Sequence, residues 1–173
     1  PTNAGLCLST GSAFLMYSFA FVQAPAELLP GERLEEQIAA KARAKKLFLR
    51  AREYVLRGIE LRHKGFRAEL DKGRAAAALA MLKPADIDYL YWAGAAWLAA
   101  FSVDPFDMTL LVTVPVPQAM LEQVLSWDDG YSKGAVHDLF VSFYASVPAE
   151  LGGSEERARR HFSRAVELSK GLS

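Results

Sequence analysis

Apolar positions along this chain fall mostly at helical spacing. In "ERLEEQIAAKARAKKLFLRAREYVLRGIEL", residues 32–61, Ala44, Leu47, Ala51, Tyr54, Gly58 and Leu61 recur at steps of three and four, while Arg43, Arg50, Arg57 and Lys64 repeat every seven elsewhere. A packing stripe beside a solvated one predicts a long amphipathic helix. After Gly65, "FRAELDKGRAAAALAML" predicts a shorter helix to about Leu82, and Pro84 then opens another, with Asp86 and Asp88 near its positive end. That next helix contains "YLYWAGAAWLAAF", residues 89–101, which has no charged side chain. At about 100° per residue, Ala93, Ala95, Ala96, Ala99 and Ala100 gather around Trp92, and Leu90, Tyr91, Trp97, Leu98 and Phe101 cover the rest. A helix apolar all round is enclosed by neighbours, and its small side lets their backbones approach, so a central packing helix is expected. A cavity wall is compatible with that role, because Tyr and Trp seek partners for their polar tips.

Further along, "DPFDMTLLVTVPVP" carries Pro105, Pro115 and Pro117 and predicts an extended or short-turn connection. Helices are expected from about Pro117 to Trp127 and from about Tyr131 to Val147, where Pro148 stops the second. The last helix has Ser154 as N-cap, Glu155 and Glu156 in its first turn, and Gly171 behind it. Its Ala158, Phe162 and Ala165 form an A-x3-F-x2-A pattern that matches the second helix of a tetratricopeptide repeat, and Ala51, Val55 and Gly58, then Ala119 and Ser126, repeat it more weakly. The predicted fold is all-α: one domain over residues 1–173, built from about four antiparallel helical hairpins in a degenerate tetratricopeptide-repeat-like superhelix.

Composition narrows the function by exclusion. With 51% of its 173 residues apolar, the chain can bury a core without disulfides, and Cys7 stands alone, with neither a bridge nor a cysteine metal site to join. Formal net charge is zero, but residues 31–74 hold most of the Lys and Arg, whereas 84–132 hold seven acids and no base. The expectation is an electrically bipolar molecule, unsuited to a nucleic-acid footprint and suited to docking a partner of complementary charge. Residues 1–26 carry no charge at all. "FLMYSFAFVQAPA" has the apolar run of a signal peptide but lacks its basic flank, and a buried first helix is the expectation.

No constellation announces a reaction. His63, His137 and His161 are not at metal-ligand spacing on one helix: His137 reads as a core histidine, His161 as a surface or packing residue, and His63 as the close of a long helix. Cys7 lies in an apolar segment without a base, "STGS" and "LGGS" lack the lysine of a phosphate loop, and Asp128 with Asp129 reads as a capping turn. The basic run "KARAKKLFLRAR" reads as the solvated face of its helix. Neither an enzyme, a metal site nor a cofactor is expected.

Several segments taken together resemble the T component of tetratricopeptide-repeat-associated TRAP transporters, the TatT family. They are "LYWAGAAW" (Leu90, Tyr91, Trp92, Ala96, Trp97), "DDGYSKGAVH" (Asp128, Tyr131, Gly134, Ala135, His137), and the spaced set Pro148, Gly152, Gly153, Ala158, His161, Phe162, Ala165, Ser169 and Gly171. "STGSAFLMYSFAFV" and "LFLRAREYVLRGIE" are similar to that family's first two helices, so the likeness covers nearly the whole chain. The resemblance implies a non-catalytic periplasmic protein, lipid-anchored in its full-length precursor through residues upstream of Pro1. It further implies association with the solute-binding subunit of a TRAP transporter and a small, partly apolar ligand held in a cleft. Tyr17, Tyr54, Tyr91, Trp92, His137 and Tyr144 are the candidate cleft residues. A stand-alone carrier of a hydrophobic small molecule is the alternative, and self-association stays open.

Overall fold

Helical spacing is the regular spacing of the sequence, and helices are the regular elements of the residues that the computed structural model describes, 2–170, with no strand among them. In chain order the helices are α1 (Ala4–Ser18), α2 (Ala24–Glu27), α3 (Leu34–Arg62), α4 (Phe66–Asp71), α5 (Ala75–Leu79), α6 (Ile87–Ser102), α7 (Met108–Leu111), α8 (Pro115–Trp127), α9 (Ala135–Ser146) and α10 (Glu155–Ser169). A π turn, Phe19–Gln23, joins α1 to α2 without a break.

α1 and α3 run antiparallel along a seam of small residues. Ser18 Oγ donates to the Ala44 carbonyl at 3.1 Å. A Cβ on Gly11 would lie 2.9 Å from the Ala51 carbonyl oxygen, and one on Gly58 would lie 3.2 Å from that of Ala4. Ala4, Gly11 and Ser18 are seven apart, as are Ala44, Ala51 and Gly58, so the close approach returns every two turns. The other side of α3 sends Phe48, Leu56 and Ile59 into the core with Leu90, Ala93, Leu98 and Phe101 of α6. These two helices are also antiparallel: Arg62 lies 5.2 Å over the Tyr89 ring, Arg52 4.5 Å over Trp97, and Lys45 Nζ reaches Asp104 at 2.7 Å beyond the end of α6.

Ten of the sixteen α6 residues are buried, as expected of a central helix. α8 packs on its small-residue side, where a Cβ on Gly94 would meet Leu121 Cγ at 2.9 Å, and Trp97 Nε1 donates to Thr113 Oγ1 at 3.0 Å. α9 and α10 form the last antiparallel pair, and the Phe101 and Phe143 rings, 6.2 Å apart, join it to α6. At the joint between α3 and α6, Asp86 is almost fully buried. It accepts from Arg62 Nε at 2.7 Å and the Lys83 N–H at 3.0 Å, with His63 Nε2 at 2.9 Å. Burial alone would raise its carboxyl, but the Lys83 N–H and the Arg62 and His63 side chains bring it below the ordinary value.

Five expectations need correction. The helix over residues 66–82 is two short ones, because Gly73 turns left-handed (φ 73°) and ends α4. The proline-rich connection contains a helical turn, α7, capped by Asp107 Oδ1 on the Thr109 and Leu110 N–H groups, and α8 begins at Pro115, with proline at a first-turn position. α9 starts at Ala135 and not near Tyr131, since Ser132, Lys133 and Gly134 are all left-handed. The first helix buries only the narrow face of Cys7, Gly11, Ser18, Val22 and Ala26. Leu6, Met16, Phe19 and Phe21 stay exposed, and residues 4–27 are long and apolar enough to cross a membrane by length and composition. Lastly, three of the seven acids of the later segment are tied to bases of the earlier one instead of standing as a separate pole: Lys45 takes Asp104 and Asp107, and Arg62 takes Asp86. The expected Ser154 cap is present, accepting from the Arg157 N–H at 3.3 Å, while Gly171 lies outside the described residues.

Candidate functional site

Three helix faces converge on an open cleft of about 450 Å³. α1 and its π turn give Leu15, Phe19 and Gln23, each four residues from the last. α6 gives Tyr91, Ala95, Leu98, Ala99 and Ser102, and α9 gives Ala135, Asp138, Leu139, Ser142, Phe143 and Ser146. On α9 this stripe lies beside the face that packs on α10, namely His137, Phe140 and Tyr144. Phe48 of α3 also reaches the lining.

The cleft has two ends. The start of α6 lies beside the start of α9, with the Tyr91 and Tyr131 rings 5.0 Å apart, and the Phe101 and Phe143 contact sits farther along both. One end therefore holds Tyr91 and Asp138, and the other Ser102 and Ser146. Tyr91 to Ser102 is eleven residues of helix, roughly 16 Å. The middle is apolar: Leu15, Phe19, Phe48, Ala95, Leu98, Leu139 and Phe143.

At the first end, Tyr131 donates its hydroxyl to Asp88 at 2.6 Å and braces the Tyr91 ring. Burial, then the Asp88 carboxylate, pushes the Tyr131 hydroxyl well above the ordinary range, and Tyr91 is raised by burial and then by Asp138. The turn that carries Tyr131 includes two non-glycine residues at positive φ, Ser132 (47°) and Lys133 (60°), a cost of about 1–3 kcal/mol each that the surrounding packing offsets. At the second end the π turn adds one residue to its helical ring, closing with the Ala24 N–H on the Phe19 carbonyl, and both Phe19 and Gln23 line the cleft.

A second concavity of about 490 Å³ lies on the other side of α3 and α6, among Leu49, Arg52, Trp97, Leu110 and Thr113. Four of its charges are already engaged internally: Glu53 takes Arg52 at 3.0 Å and Arg67 at 2.6 Å, and Asp107 takes Lys45 and Thr109, while Asp71 also lines it. Among the described residues, no group of three or more His, Cys, Asp or Glu is placed to hold a metal ion.

Of the six residues selected from the sequence, Tyr91 lines the cleft. Tyr17 stands exposed on the outer side of α1 near Arg43, and Tyr54 stacks on Phe14 at 5.7 Å across the outer edge of the α1/α3 pair. Trp92 meets Tyr91 edge-on at 5.2 Å. His137 and Tyr144 sit between α9 and α10, where His137 Nδ1 is 2.9 Å from His161 Nδ1 and Tyr144 stacks on the His161 ring. His161, expected at the surface or as packing, is a partner of His137, and Asp129 ties His137 Nε2 at 3.2 Å to Arg164. Burial, then His137 and the nearby arginines, lowers the His161 pKa to about 4. Sequence reasoning missed Leu15, Phe19, Gln23, Asp138 and Ser142. The signal for the α9 set was the second stripe of its amphipathic pattern, offset from the buried one.

What these elements define is an all-helical protein of antiparallel helix pairs surrounding an open, mostly apolar cleft. The chain belongs to the family described as TRAP transporter T-component, which it matches over residues 1–173. It is also similar to an uncharacterized protein of Treponema pallidum (strain Nichols), 37% identical over 165 residues that make up 94% of this chain. The chain spans about half, 51%, of the length of that relative.

Proposed function

We propose that this protein is a periplasmic accessory subunit that docks the solute-binding subunit of its TRAP transporter and holds a small, partly apolar ligand in the cleft between α1, α6 and α9. The observation that carries the ligand half is the cleft itself: three helix faces leave an apolar, roughly 16 Å groove open where solid packing would have closed it. Family membership carries the transporter half. We read the stacked pairs as degenerate tetratricopeptide-type hairpins, a scaffold whose curved surface suits partner docking. Holding a ligand is what its mostly apolar lining offers. The apolar helix formed by α1, the π turn and α2 presents Leu6, Met16, Phe19 and Phe21 outward and suits a site close to a membrane surface.

The test has two readouts. Purified protein mixed with the solute-binding subunit of its own transporter should co-elute from a sizing column, and solvent extraction followed by mass spectrometry should return a stoichiometric apolar compound. Ala99→Trp, which fills the middle of the cleft, should lose the compound. Ligand without co-elution would favour the stand-alone carrier, and neither would remove both readings.

A further inference from the structure

The cleft joins an apolar body to a carboxylate at one end, and this selects the chemistry of what it holds. Among the described residues, no Lys, Arg or His lines it. Asp138 supplies its formal charge, and that carboxylate is exposed at the rim with neither a hydrogen bond nor an ion pair of its own, only the nearby Tyr91 hydroxyl. At the other end two hydroxyls have already used their protons. Ser102 Oγ donates to the Ala99 carbonyl at 2.9 Å and Ser146 Oγ to the Ser142 carbonyl at 2.6 Å, which leaves their lone pairs toward the groove. Gln23 gives its amide N–H to Glu27 at 2.8 Å, and its Oε1 is buried with no donor.

We propose, resting on the ligand-holding reading above, that the cleft takes an apolar molecule bearing a protonated amine, with the ammonium at Asp138 and Tyr91 and the apolar body along Leu98, Leu139 and Phe143. An ammonium brings donors and a positive charge to an unpaired carboxylate at its own end of the groove. A carboxylate ligand of the same length would meet a like charge at one end and lone pairs at the other, with no cation on the lining to receive it. The alcohol of that length satisfies the acceptors without the charge term and falls between. A fatty acid, the obvious occupant of an apolar groove, is thereby placed last.

The test is calorimetric titration at pH 7 and low ionic strength with decylamine, decanol and decanoate, each below its micelle-forming concentration. The expected order is amine, alcohol, acid, with the amine at least about tenfold tighter than the acid, a factor equivalent to 1.4 kcal/mol. Asp138→Asn removes a charge that no other side chain pairs with, so the fold should stand, and the amine should fall to the level of the alcohol. Ala99→Trp should abolish binding of all three. Decanoate binding as tightly as decylamine overturns the proposal while leaving an apolar ligand site in place. So does an amine preference that survives Asp138→Asn or Ala99→Trp, since the cation would then be recognised elsewhere. Failure of all three compounds on the unaltered protein removes the ligand site, and this proposal with it.

Discussion

The first and last helix pairs have the same topology and opposite chemistry. Between α1 and α3 the centre of the contact is made of what is missing: Gly11, Gly58 and a set of alanines let the backbones approach, Ser18 bonds the Ala44 carbonyl within the seam, and the ring and Arg43 contacts stay at its outer edge. Between α9 and α10 the contact is made of rings and charge. α10 buries just Ala158 and Ala165, and its hold on α9 comes from His137 against His161, His161 on Phe140 and Tyr144, and Arg157 over Tyr144. Packing of the first kind is insensitive to protons and salt. Packing of the second kind depends on which histidine nitrogen carries a hydrogen.

The largest expected effect comes from breaking the small-residue seam. Gly11→Val places a Cβ 2.9 Å from the Ala51 carbonyl oxygen and 2.4 Å from Val55 Cγ2, where two helix backbones leave little room to yield. Overpacking of this kind costs up to about 3 kcal/mol, and the loss should be equal at pH 5 and pH 7.5 in urea unfolding. A loss confined to the lower pH would show that the two seams are not held differently.

The second effect is the pH dependence of the last pair. In the unfolded chain His161 titrates near its ordinary value of 6.5, and in the fold near 4. Between those values the unfolded state binds the extra proton, so stability is complete above about pH 6.5 and falls as the pH is lowered toward 4. Discounted for partial solvent screening, the loss is about 2 kcal/mol. His161→Phe, set among Phe140 and Tyr144, should flatten this part of the profile. An unchanged acid limb in that variant would assign the proton to another group.

How much of this was legible beforehand follows the same division. The seven-residue recurrence of Ala44, Ala51 and Gly58 is visible in the string, as is the charge-free run 89–101 of α6, because both lie on a single helix. What crosses between helices was not. Nothing in the local pattern says that His161 faces His137 twenty-four residues earlier, or that Lys45 reaches Asp104 and Asp107. The charge map was therefore misread, and reversing Asp86, Asp104 or Asp107 would break the joints of the fold before it could report on partner steering. The cleft was half legible. Tyr91 follows from the aromatic helix, but Gln23 arrives through a π turn, and Asp138 occupies the face of α9 that the buried stripe makes easy to dismiss.

The smallest effect sharpens the comparison most, because both pairs begin one helix with a side-chain cap. Asn3 Oδ1 accepts the Leu6 N–H at 2.9 Å at the start of α1, and Ser154 Oγ accepts the Arg157 N–H at 3.3 Å at the start of α10. Replacing either by Ala removes one partner from an exposed helix end, a loss of about 1 kcal/mol in each case. The consequences should nevertheless differ in extent. α1 is fastened to α3 at three points along its length, so Asn3→Ala should quicken amide exchange in its first turn and no farther. α10 has two buried alanines and a ring contact near its middle, and the Ser154 N–H also donates to the Tyr144 carbonyl at 3.0 Å, so its cap is part of what registers it on α9. Ser154→Ala should lower exchange protection across the whole helix, and more at pH 5 than at pH 7.5, because at pH 5 His161 takes up a proton once the helix opens. Exchange confined to the first turn in both variants would mean that rings and small residues fasten a helix equally well, and the contrast between the two pairs would reduce to composition.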